Sequence, residues 1–137
     1  MLKLSLVLTL CCVFSSSFAA VQVVVHPSNT ANISRDDINR LYTGRASSFP
    51  GGGQAVPLNL VETHKTRNDF DEKALGRSSS QIKAHWSKLV FTGKGTPPKE
   101  VESDAEVLEL VANNPNIIGY VSKGAATDKV KVVLEID

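Results

Sequence analysis

Cysteine is absent from all but the first stretch of this chain. Cys11 and Cys12 both fall inside the apolar run Leu4 to Phe14. Lys3 precedes that run and Ser15-Ser16-Ser17-Phe18-Ala19-Ala20 follows it, the charge, apolar and small-residue order of an export signal cleaved after Ala19 or Ala20. A run of about 11 apolar residues is too short to span a bilayer. Residues 1–19 therefore read as a signal peptide and 20–137 as the mature domain, with no membrane span and a periplasmic or secreted destination. The mature chain then has no disulfide, no thiol nucleophile and no Cys-ligated metal.

Net charge is also missing. Fifteen Lys and Arg, one of them Lys3 in the leader, stand against 14 Asp and Glu, which leaves the mature chain neutral. That balance argues against nucleic acid or a membrane surface as the main partner. The charges are nonetheless segregated: Arg77, Lys83, Lys88, Lys94 and Lys99 are followed by Glu100, Glu102, Asp104, Glu106 and Glu109. Such runs are solvated helix and loop faces or, alternatively, a polarised docking face.

The residues of catalysis and metal binding are sparse. His26, His64 and His85 are dispersed, and Glu62-x-His64 offers two ligands where zinc needs three or four. Ser78-Ser79-Ser80 lacks a G-x-S-x-G setting, and no convergent acid–base set stands out, so the chain reads as a non-enzyme without cofactor. Gly51-Gly52-Gly53 leads into a strand-like run, and Gly93-Lys94-Gly95-Thr96 leads into Pro97-Pro98; neither opens a helix as a phosphate-cradling loop must.

What is present is an alternation of strands and capped helices. Val21-Gln22-Val23-Val24-Val25 is a β-branched strand, and Ala55 to Val61 a second. Four helix starts carry a capping pair three residues apart: Ser34/Asp37, Thr66/Asp69, Ser78/Gln81 and Ser103/Glu106. Gly44, Gly76 and Gly93 stand where those helices should end. Arg45 to Gln54 reads as a flexible loop. Ile82, Trp86, Leu89 and Val90 form an apolar stripe on the third helix, with His85 beside it as a partly buried, hydrogen-bonded ring. Ile117 to Val121 and Lys129 to Ile136 complete the set as strands. The order β-α-β-α-α-α-β-β predicts one α/β domain, a mixed sheet of about four strands covered by helices.

Three segments, in order, resemble one lobe of the phosphate ABC-transporter substrate-binding proteins, a type II periplasmic-binding-protein-like fold. Val23 to Arg45 is similar to that family's strand, NPxN turn and helix ending in IFxGK. Thr66-Arg67-Asn68-Asp69-Phe70 is similar to the end of its SGTRxxF segment, and Asn116 to Val121 to its GxIGYV segment. The resemblance implies non-covalent binding of phosphate or a related oxyanion, and service to an ABC-type transporter. It implies ligand contacts from Thr66 and Arg67, with Lys65 and His64 beside them. A helix start suits an anion there, through free N–H groups and the positive end of the dipole. Thr66 as a plain helix cap is the competing reading.

Two departures accompany the likeness. The family's members are roughly twice this length and clamp ligand between two lobes, whereas this chain has length for a single domain. Their Ser-Gly-Thr loop reads His64-Lys65-Thr66 here. A protein–protein interaction module that kept the fold and lost the ligand, self-associating or docking on a transporter component, is the alternative.

Overall fold

Three helices begin where a serine side chain can satisfy a first-turn N–H group. In the computed structural model, which describes residues 20–137, Ser34 caps α1 (Arg35–Tyr42). Its Oγ accepts from the Asp37 N–H at 3.2 Å, and the Asp37 carboxylate accepts from the Ser34 N–H at 2.8 Å. Ser78 and Gln81 form the same reciprocal box at the start of α3 (Ser79–Phe91). Ser103 caps α4 (Asp104–Asn113) by accepting from the Glu106 N–H, but the return bond from Glu106 is not made. The expected export signal, residues 1–19, lies outside the described residues.

The remaining helix departs from expectation at both ends. Thr66 is not its cap: α2 (Lys65–Phe70) is capped by His64, and Thr66 is already in the first turn with its side chain buried. After Phe70 the helix widens into a π-turn, Asp71–Leu75, closed by Gly76 at φ 68°. Asp71, still at regular helical spacing from Arg67, lies beneath it and is fully buried.

Five strands form one mixed sheet in the order β3-β2-β4-β1-β5. They are β1 (Val21–Val25), β2 (Val56–Leu60), β3 (Lys99–Val101), β4 (Ile117–Ser122) and β5 (Lys131–Ile136). β2 runs parallel to β3 and β4, while β1 is antiparallel to β4 and β5. The strand absent from the sequence reading is β3. It has three residues, two of them exposed and charged, and pairs at the sheet edge with the ends of β2, so it carries no alternating apolar pattern of its own.

The core has an aromatic centre. Phe70 stacks on Tyr120 with ring centroids 3.8 Å apart, and Tyr42 meets both rings edge-on at 4.7 and 5.9 Å. Their hydroxyls tie the strands together. Tyr42 O–H donates to the Leu58 carbonyl at 2.7 Å; Tyr120 accepts from the Leu60 N–H and donates to Asn59 Oδ1. Burial pushes both phenol pKa values up, so both stay neutral donors. On the other side α4 lies directly against β4. A Cβ at Gly119 would stand 2.6 Å from Val107 Cγ1, so the close approach needs glycine there.

The Arg45 to Gln54 loop, expected to be flexible, is anchored. Phe49 is buried, its N–H donates to the Gly53 carbonyl, and Ser48 bridges Gln54. His85 behaves as expected, with Nε2 2.8 Å from the Thr43 carbonyl.

The carboxyl ends of β2, β3 and β4 all reach one edge of the sheet. Val21 is paired with Ser122, which brings the start of β1 to the same edge. In open α/β sheets this is the edge at which ligands are held.

Candidate functional site

The turn after β2 builds the site. His64 closes it by donating its N–H to the Val61 carbonyl at 3.0 Å. Its ring Nδ1 then accepts from the Thr66 N–H at 3.1 Å. With Nδ1 an acceptor, the neutral ring carries its proton on Nε2. Lys65, the first helical residue, is exposed.

Thr66 is 5% exposed, and its Oγ1 sits 2.5 Å from Ser122 Oγ at the end of β4. One hydroxyl of such a pair donates to the other, which leaves a single O–H free to donate outward. The Ser122 N–H in turn donates to Asp104 Oδ1 at 3.2 Å, so the first residue of α4 joins the group. Three elements thus converge on this edge: the start of α2, the end of β4 and the start of α4.

Arg67 faces the other way. Its Nε donates to Asp71 Oδ2 at 2.8 Å and its Nη1 to the Leu60 carbonyl at 2.8 Å, with Glu100 Oε1 3.6 Å from Nη1. Ser79 Oγ donates to the same Asp71 oxygen at 2.8 Å, while Asp71 Oδ1 is buried without a partner among the described residues. Burial raises the Asp71 pKa, and the neighbouring Arg67 charge works against that rise. The guanidinium is therefore committed to a buried ion pair under the β2–α2 turn. The other expected contacts, His64, Lys65 and Thr66, do share the edge. Ser122 and Asp104 were not foreseen, because they lie 56 and 38 residues from Thr66 and no local spacing links them.

Comparison with solved structures gives the architecture a place. An ABC-type phosphate transport receptor from Vibrio cholerae aligns with TM-score 0.65 and 19% identity, over 85% of this chain and 46% of that one. The fold is that of one lobe of the phosphate ABC-transporter substrate-binding proteins. A Clostridium perfringens protein described as a phosphate ABC transporter substrate-binding protein, with phosphate bound, aligns with TM-score 0.66 and 19% identity over 83% of this chain and 44% of that one. PstS from Borrelia burgdorferi gives TM-score 0.63 and 15% identity over 85% and 47%. This PstS-like lobe thus spans less than half the length of the proteins it matches. No family model matches the chain. No curated protein matches it either. Among the described residues no helix is long and apolar enough to cross a membrane.

Proposed function

We propose that this chain is an exported solute-binding lobe that holds phosphate or a similar oxyanion non-covalently at the carboxyl edge of its parallel strands. The observation that carries the reading is the Thr66–Ser122 hydroxyl pair, set at the start of α2 beside exposed Lys65. One free hydroxyl proton, the Lys65 ammonium and the His64 Nε2–H supply donors, and the helix start adds partial positive charge. Asp104 can accept the proton of a monohydrogen oxyanion, which favours phosphate over sulfate at neutral pH. Arg67 braces the turn from behind and makes no contact with the anion. The role is binding without chemistry, in service of an ABC-type uptake system.

A second reading has its own observation. Arg67, the strongest anion-binding group in the neighbourhood, is already answered by Asp71, as expected of a module that kept the fold and gave up the ligand. A thermal-shift series at fixed ionic strength separates the two. An anion at a hundred times its dissociation constant stabilises by about 2.7 kcal/mol. A rise in Tm with phosphate, absent with chloride and lost in Ser122→Ala, supports the binding lobe. A flat response across phosphate, sulfate, molybdate and chloride supports the interaction module.

A further inference from the structure

A cleft of about 730 Å³, between α3 and the β2–β3 edge of the sheet, is lined by Arg67 but not by Lys65, Thr66 or Ser122. Its apolar lining comes from Val61, Trp86, Val90, Phe91, Pro97 and Pro98, with polar and charged residues between them. Val90 is 53% exposed and Phe91 92%, which is unusual for large apolar side chains one turn from a buried tryptophan. Cleft size and lining match those of small-molecule sites, which run to roughly 300–1,000 Å³ with a few placed polar groups.

The placed polar groups are Asn59 and Arg67, respectively 4% and 3% exposed. The Asn59 amide is oriented by a chain of hydrogen bonds: the Leu60 N–H donates to the Tyr120 hydroxyl, which donates to Asn59 Oδ1. Oδ1 is thereby taken, and Nδ2 makes no hydrogen bond among the described residues. Arg67 spends Nε and Nη1 on Asp71 and Leu60, and its Nη2 has no partner among the described residues. Two buried residues therefore bring unused N–H donors to one apolar cleft. Among the described residues the only fully buried side-chain polar atom without a partner is Asp71 Oδ1, so these two donors are open to water in the cleft, which a ligand acceptor would replace.

Charge selects the kind of acceptor. Arg67 stands between the Asp71 and Glu100 carboxylates, and Lys83 at the rim is 3.7 Å from Glu62. Every cation at the cleft already has a carboxylate, and Arg67 has two, so an anionic head group would meet net negative charge. We propose that this cleft is a second binding site, separate from the oxyanion edge, for a small neutral aromatic molecule whose amide or ketone oxygen accepts from Asn59 and Arg67. The aromatic body lies against Trp86, Val90 and the two prolines.

Trp86 is the only tryptophan in the chain, so its emission reports on the cleft directly. The test is a fluorescence titration of the purified protein with phenylacetamide, and with phenylacetate as the isosteric carboxylate. The expected result is a saturable change with phenylacetamide and binding of phenylacetate at least about tenfold weaker. Val90→Arg should weaken phenylacetamide binding by at least about tenfold, since it fills the mouth with a long charged side chain. Phe91→Glu, at a position too exposed to disturb folding, should weaken it measurably, and circular-dichroism melts confirm that both variants fold. Lys65→Ala, at the other site, should leave the titration unchanged. The proposal is overturned by any of three results: no saturable response, equal binding of phenylacetate, or binding that survives both cleft variants. A dimer that buries Trp86, is broken by Val90→Arg and is indifferent to phenylacetamide would also overturn it, and would assign the cleft to a second copy of the chain.

Discussion

Replacing Arg67 with methionine removes the guanidinium while keeping a flexible apolar stem in its place. The lost contacts are the 2.8 Å bond to Asp71 Oδ2, the 2.8 Å bond to the Leu60 carbonyl and the approach to Glu100. Asp71 is then a fully buried carboxylate held only by the Ser79 hydroxyl, with Oδ1 still unpartnered. Breaking a buried pair by removing one member costs about 3–5 kcal/mol, because the remaining charge is uncompensated. For a domain of this size Tm should fall by roughly 4 °C per kcal/mol, so the drop should be about 12–20 °C. Removing both charges in Arg67→Met/Asp71→Leu takes away the stranded charge and should recover at least about 2 kcal/mol as a coupling energy. Urea denaturation followed by Trp86 emission measures all four corners of the cycle. If Arg67→Met alone loses less than about 1 kcal/mol, Arg67 is not a structural cation and the reasoning is wrong. The same variant bears on function. Below its melting point it should still respond to phosphate, because the guanidinium does not face the anion.

Three further outcomes are expected. Gly119→Ala should destabilise by about 1–3 kcal/mol, because its Cβ meets Val107 Cγ1 at 2.6 Å, and Val107→Ala in the same chain should restore part of the loss by thermal unfolding. Ser34→Ala should cost about 1 kcal/mol in urea unfolding through loss of the α1 cap. The Asp37 pKa is lowered by the Ser34 N–H and hydroxyl bonds, so the folded state holds that proton less tightly than the unfolded state. Its stabilisation is thus present above the ordinary Asp value near ~3.9 and disappears as pH falls through the depressed folded value. The stability gap between the native chain and Asp37→Asn, measured by urea unfolding, should close over that acid range.

How far the sequence foretold the molecule depends on whether a feature is local. The Ser34 and Ser78 boxes, the buried β1 strand and the left-handed Gly44 and Gly76 are all set within a few residues, and each was legible. The segments resembling a phosphate-type lobe were few, yet their order sufficed to anticipate the architecture that the solved structures share. What escaped was decided by tertiary packing. Thr66 has the residue type of a cap, but the chain approaches Ser122 there, so its hydroxyl turns to β4 and the His64 ring takes over the cap. β3 exists because β2 offers it a parallel partner, not because Lys99-Glu100-Val101 prefers extended backbone. The inward turn of Arg67 did leave a trace in the sequence: Asp71 stands four residues on, the spacing of a helical ion pair. The π-turn that follows Asp71 left none.

The central claim is that the Thr66–Ser122 edge is an oxyanion site, and an ¹H–¹⁵N NMR titration with phosphate against chloride tests it most directly. The account predicts saturable phosphate-specific shifts at the amides of Lys65, Thr66 and Ser122, abolished in Ser122→Ala and weakened in Lys65→Ala. Shifts that grow linearly, that appear equally with chloride, or that map elsewhere on the chain would contradict it.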